Sequence, residues 1–162
     1  LWLVENQNRF AGALFSGGAF RLAENPSNLL RWVVDTLAFL LPTVGVMKID
    51  GRKVSRDPDI VNAYIKDSLV HHKSYSARLI SEFVKAIENL QRKSSAISIP
   101  VLVLHGEADT LTAPEGSTEF IKNISSHDKT LKILPGVYHE ILNEPEGHQL
   151  MSDMKEWIYK RL

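Results

Sequence analysis

Two polar residues stand just beyond two apolar runs, and together they could move a proton. The text IPVLVLHGEAD puts Asp109 four residues past one run, and LKILPGVYHE puts His139 about five past another. A carboxylate within reach of an imidazole holds its Nδ1–H and fixes the tautomer. It also stabilises the imidazolium that forms when Nε2 takes a proton. Each residue has a plainer use as well, Asp109 in an Asx-turn and His139 as a solvated side chain.

For the two to meet, their strands must be parallel neighbours. A strand, a crossover helix and a second strand bring both strand C-termini to one sheet edge. The text supplies these parts. Strands are expected at 100–105 and 129–134, with a Pro-started helix from Ala113-Pro114-Glu115 between them that turns Phe120 and Ile121 inward. A last helix is expected from Glu144-Pro145-Glu146, with Leu150, Met154, Trp157, Ile158 and Leu162 on one face. Earlier, FAGALFSGGAF suits a buried strand closed by Gly17-Gly18, and residues 1–9 read as a helix tail.

Between these parts lies a long helical stretch. Asn25-Pro26-Ser27 is a start signal, with Asn or Ser as cap, for an apolar helix over Asn28–Leu41 that Pro42 ends. Arg31 and Asp35 are spaced to pair within it. It is too short to span a bilayer, so burial is expected, with contact at a lipid surface as the alternative. DGRKVSRDP reads as turns, and a short helix follows over 59–66. Ser76–Arg92 is amphipathic, with Leu79, Ile80, Phe83, Val84, Ile87 and Leu90 on one face. The block is too long for a simple crossover, and an inserted cap over the sheet edge is the expectation.

Composition sets wider bounds. With 44% hydrophobic and 23% charged residues the chain is globular. Nineteen basic residues balance nineteen acidic ones, which argues against a nucleic-acid partner. Having no cysteine, the chain has neither disulfides nor thiolate metal sites. His71-His72 lacks carboxylates at ligand spacing, so no metal or other cofactor is expected. His105 is expected to pack under the Asp109 turn, and His127 and His148 to be solvated. Glu140, Asn143 and Glu144 would brace the His139 loop or cap the last helix.

IPVLVLHGEADTLTAPEGS followed by DKTLKILPGVYHEILNEPE resembles the C-terminal part of monoacylglycerol lipases. It is similar also to related serine hydrolases and lysophospholipases of the α/β-hydrolase superfamily. The likeness falls on His105, Gly106, Asp109, Pro114, Gly136, His139, Glu140, Asn143, Glu144 and Pro145. VSRDPDIVNAYIKDSLVHH resembles the cap of that family, and FAGALFSGGAF the strand after the helix behind its nucleophile.

The resemblance implies an α/β fold, the C-terminal half of an α/β-hydrolase. Residues 1–23 and 96–162 would belong to the core and 24–95 to the cap. It implies a carboxylic ester hydrolase acting on lipid-like esters by a Ser-Asp-His mechanism, with Asp109 as triad acid and His139 as general base. Trp32, Phe39, Leu40, Leu41, Val44 and Val46 would line an acyl tunnel in the cap or pack its core. No Gly-x-Ser-x-Gly occurs, and Leu14-Phe15-Ser16-Gly17-Gly18 lacks the first glycine, so Ser16 is expected to be a decoy. The chain begins with Leu, in mid-helix text, so a fragment with its nucleophile upstream is expected. An upstream Asp nucleophile, as in epoxide hydrolases or dehalogenases, and a non-enzymatic binding protein are the alternatives. The expected partner is a small lipid ester, with transient membrane contact through the cap. Location is expected to be cytoplasmic or membrane-peripheral, and oligomeric state stays open.

Overall fold

Strand text apolar on both faces, such as Val-Leu-Val-Leu, belongs in the middle of a covered parallel sheet. The computed structural model of the chain, which describes residues 2–24 and 26–162, places it there. In chain order the first elements are α1 (Trp2–Asn6), β1 (Ala13–Ser16), α2 (Asn28–Leu40), β2 (Gly45–Met47) and α3 (Pro58–Lys66). They are followed by β3 (Tyr75–Ser76), α4 (Ala77–Lys93), β4 (Val101–Gly106), α5 (Pro114–Asn123), β5 (Lys129–Leu134) and α6 (Gly147–Tyr159).

The main sheet runs β1-β4-β5, all parallel, with β4 in the centre. The register sets Val101 against Lys129 and Gly106 against Leu134, so β4 and β5 end side by side. Successive β4 residues feed two cores. Val101 and Val103 pack with Phe20, Phe120 and Ile124, where the Phe20 and Phe120 rings stack 4.1 Å apart. Leu102 and Leu104 pack with Val137, Ile141, Leu150 and Met154. Each of these leucines is fully buried, which is worth roughly 1.5–3 kcal/mol apiece.

Residues 26–93 form the helical block. α2 lies along α4, and β2 pairs antiparallel with β3. Side-chain caps start its helices: Ser27 Oγ accepts from Leu30 N–H, Asp57 from Asp59 N–H and Ser76 Oγ from Leu79 N–H. The alternative cap Asn25, like Leu1 of the expected N-terminal helix, lies outside the described residues.

Four expectations are corrected. α1 ends at Asn6 and tightens into a 3₁₀ turn over Gln7–Arg9. α2 is not a buried helix: only Ala38 is buried, while Trp32 is 65% and Phe39 82% exposed, because α2 meets α4 along one side. The Arg31–Asp35 pair does not form, since Arg31 reaches Glu88 and Asp35 accepts from Ser81 Oγ at 2.5 Å. Both thereby tie α2 to α4. Finally, α6 starts at Gly147 and stops at Tyr159; Leu162 lies beyond its end, and Ile158, within it, is also exposed. The Glu144 carboxylate is engaged by Arg56 and is not free to open the helix.

Among the described residues no helix is long and apolar enough to cross a membrane.

Candidate active site

Asp109 sits in the turn after β4 and is held by its own neighbourhood. Its Oδ1 accepts from Leu111 N–H at 2.8 Å and Thr112 N–H at 3.0 Å, so the Asx-turn does form. Its Oδ2 accepts from Thr112 Oγ1–H at 2.9 Å and stands 2.7 Å from His139 Nδ1 and 3.1 Å from His105 Nε2. The carboxylate has no solvent exposure. Burial disfavours its charge, but the hydrogen bonds from His105, His139 and Thr112 outweigh that cost, holding Asp109 well below the usual carboxylate range.

His139 follows β5 on a loop that must pass directly over the end of β4. Gly106 permits this, because a Cβ there would fall on the Val137 and Tyr138 carbonyl oxygens. Gly17, at the end of β1, has φ +57°, and a Cβ there would meet the His139 carbonyl oxygen at 2.6 Å. Three strand ends therefore converge on one ring.

The hydrogen bond to Asp109 raises the His139 pKa above the ordinary imidazole value; burial opposes this, and the charges of Asp109 and Glu140 add to it. With Nδ1 engaged, Nε2 is the nitrogen left to take a proton. A recess of about 260 Å³ lies beside the ring, lined by Ser16, His139, Glu140, Ile141, Leu142 and Asn143. Ser16 is thus near the base, but no hydrogen bond joins the two among the described residues.

The loop is anchored from the helical block. Glu140 N–H donates to Val54 O at 2.8 Å, and Ser55 Oγ–H to Asn143 O at 2.9 Å. Glu144 is a fully buried carboxylate. It accepts from Arg56 N–H at 2.9 Å, Arg56 Nε–H at 2.5 Å and Tyr138 N–H at 3.2 Å. Glu144 therefore braces the loop.

The six residues suggested for an acyl tunnel are not gathered around the pair. Val46 lines a separate cavity of about 390 Å³ between α2 and α4, together with Leu30, Val34, Ile80 and Val84. Trp32, Phe39, Leu40, Leu41 and Val44 are exposed. His127 and His148 are exposed, and His71 and His72 reach the Ser74 and Asp67 carbonyls. Among the described residues no cluster of His, Asp or Glu could hold a metal ion.

Sequence reasoning missed Thr112, Ser117 and Arg56. A histidine ending an otherwise apolar buried strand was the available signal for Ser117, since such a ring needs polar partners. The Asx-turn pointed to the Thr112 amide but not to its hydroxyl, and nothing local marked Arg56.

A family model described as "Serine aminopeptidase, S33" matches residues 1–146. The monoacylglycerol lipase of Mycolicibacterium smegmatis is 33% identical over 153 residues, covering 94% of this chain and 55% of the relative. The monoglyceride lipase of Rattus norvegicus is 28% identical, over 98% of the chain and 54% of the relative. The crystal structure of Paleococcus ferrophilus monoacylglycerol lipase superposes with a TM-score of 0.90 at 28% identity, covering 99% of this chain and 63% of that one. A soluble variant of Saccharomyces cerevisiae monoglyceride lipase, in complex with a substrate analog, gives 0.81 at 26%, over 98% and 58%. The chain spans about half the length of the curated relatives it matches.

Proposed function

The chain belongs to the serine aminopeptidase S33 family and has the α/β-hydrolase fold, and on that premise we propose that Asp109 and His139 are the acid and base of a carboxylic ester hydrolase acting on lipid-like esters. The 2.7 Å contact of His139 Nδ1 with a buried Asp109 at the ends of adjacent parallel strands carries this reading. Relatives named as lipases and esterases favour an ester over an epoxide or a haloalkane.

In the proposed reaction a serine hydroxyl gives its proton to His139 Nε2 as its oxygen attacks the ester carbonyl. The imidazolium, held by Asp109, then protonates the departing alcohol. Water repeats the sequence against the acyl-enzyme and frees the acid. The serine belongs, in this reading, to the part of the relatives that the chain does not span. Two features support that assignment. β1 is paired on one side only among the described residues, and the recess beside His139 opens at the end of that strand. A parallel strand added at the free edge of β1 would deliver its C-terminal turn to the recess.

Residues 24–95 serve as the cap in this reading, with the cavity between α2 and α4 available to an acyl chain. The exposed Trp32, Phe39 and Leu40 would give α2 a peripheral contact with a lipid surface.

Covalent labelling of one serine by a fluorophosphonate in the full-length protein tests the mechanism; no labelling would overturn it. The 162-residue chain alone is expected to turn over no short p-nitrophenyl ester. Turnover by that chain, lost in Ser16→Ala, would overturn the assignment of the nucleophile.

A further inference from the structure

Asp109 Oδ2 faces two imidazoles, and only one of them belongs to the proposed proton relay. The other, His105, is the last residue but one of β4, and its ring is fully buried. Its Nε2 lies 3.1 Å from Asp109 Oδ2, 3.3 Å from Thr112 O and 3.4 Å from Thr112 Oγ1. Its Nδ1 lies 2.6 Å from Ser117 Oγ, which is itself fully buried in the first turns of α5. A buried ring with both nitrogens engaged has its tautomer set by what they face.

The partners decide the tautomer. Around Nε2 stand a carboxylate oxygen and a carbonyl oxygen, which cannot donate, and the Thr112 hydroxyl, whose proton goes to Asp109 Oδ2. A bare lone pair there would point at two acceptors, so Nε2 carries the proton. Nδ1 is then the acceptor, and the Ser117 hydroxyl is the donor that satisfies it. The chain of donation runs Ser117 Oγ–H to His105 Nδ1, then His105 Nε2–H to Asp109 Oδ2.

We propose that His105 and Ser117 form a positioning relay behind the triad acid, in which Ser117 locks His105 as a permanent donor to Asp109 Oδ2 and so tempers the basicity that Asp109 presents to His139. The role rests on the proposed function for its catalytic meaning, but not for its structure. An extra donor on Oδ2 spreads the carboxylate charge, and His139 feels a weaker anion. The charged groups facing His139 are Asp109 and Glu140. The end of β1 brings the uncharged Ser16 and Gly17, and Thr112 Oγ1 stands 3.4 Å from Nδ1. Withdrawing His105 takes a donor from Asp109 Oδ2 and a contact from Thr112, and leaves Glu140, Ser16 and Gly17 in place. His139 then holds its proton more tightly, and less of it is free to act as base near neutral pH.

Nitrogen-15 histidine spectra of the full-length protein test this without any variant. The expected result is a bare Nδ1 and a protonated Nε2 on His105 at pH 7, the tautomer its partners dictate. A protonated His105 Nδ1 at pH 7 would overturn the relay. Among variants, His105→Leu should move the His139 titration up by roughly half a pH unit or more. His105→Gln can accept from Ser117 and donate to Asp109, and it should restore the wild-type titration. If both variants fold and leave His139 unmoved, the relay is wrong. Kinetics separate the two proposals: the acid limb of kcat/KM should move up with the titration in His105→Leu, while KM stays within about twofold. A protein with the expected tautomer and titration shifts but no esterase activity would defeat the functional reading and leave the relay standing.

Discussion

The Asp109 turn and the His139 loop lie side by side at one sheet edge, yet they are held by opposite means. The partners of Asp109 other than His139 come from its own neighbourhood: His105 at the end of its strand, then Leu111 and Thr112 in its turn. The His139 loop is tied to residues 54–56, more than eighty positions away in the chain. The acid is set by β4 and its turn, while the base is set by β5 together with the root of the helical block. Anything that shifts that root is transmitted to the base before the acid.

The sharpest blow to this contrast is on the acid itself. Asp109→Asn keeps the shape but removes the anion, and in the full-length protein kcat should fall about 10⁴-fold, as for the same change in a serine-protease triad. Stability should respond in two pH windows. The pKa of Asp109 is lowered in the fold, so its contribution is present above about pH 4 and lost as pH falls through the depressed value. That of His139 is raised, so its contribution is full below about pH 6.5 and lost as pH rises through the raised value. Urea titrations of wild type and variant should therefore converge toward low pH, differ most between about pH 4 and 6.5, and narrow without closing as His139 loses its proton, since Leu111, Thr112 and His105 still donate to Asp109.

A smaller effect is expected on the base side. Glu144→Ala removes the acceptor of the half-buried Arg56 and Tyr138 N–H groups and of the Arg56 guanidinium, at a cost of about 2 kcal/mol by chemical denaturation. It should broaden the His139 resonances and leave those of His105 sharp; equal broadening of both would break the contrast between the loops. Arg56→Ala keeps the main-chain bond to Glu144 but leaves that fully buried carboxylate without its cation, so a similar cost of about 2 kcal/mol is expected. The smallest change in stability belongs to α2. Phe39→Ala should alter it by no more than about 0.5 kcal/mol, since the ring is 82% exposed. The same variant should reduce sedimentation with phosphatidylcholine vesicles, and unchanged binding would remove α2 from the proposed lipid contact.

This contrast also explains what could be read from the chain. The Asp109 turn was legible because its chemistry is local: an apolar strand, a glycine and an aspartate that bonds its own following amides. The parallel pairing of β4 and β5 followed from a helix of crossover length between two apolar runs. Glu144 read equally well as a brace or a helix cap, and only the approach of Arg56 from the helical block decides between them. The same kind of distance effect redirected Arg31 to Glu88, because α4 offers a carboxylate that a single helix's spacing cannot foresee. The outward face of α2 was illegible for a related reason. An apolar helix states what it could bury, not how many neighbours arrive to cover it.

The central claim is that His139 is the general base of an ester hydrolase. Its most direct test is kcat/KM of the full-length protein on a monoacylglycerol, wild type against His139→Ala. The account predicts a loss of about 10³-fold or more with the fold intact. Activity within tenfold of wild type would contradict it.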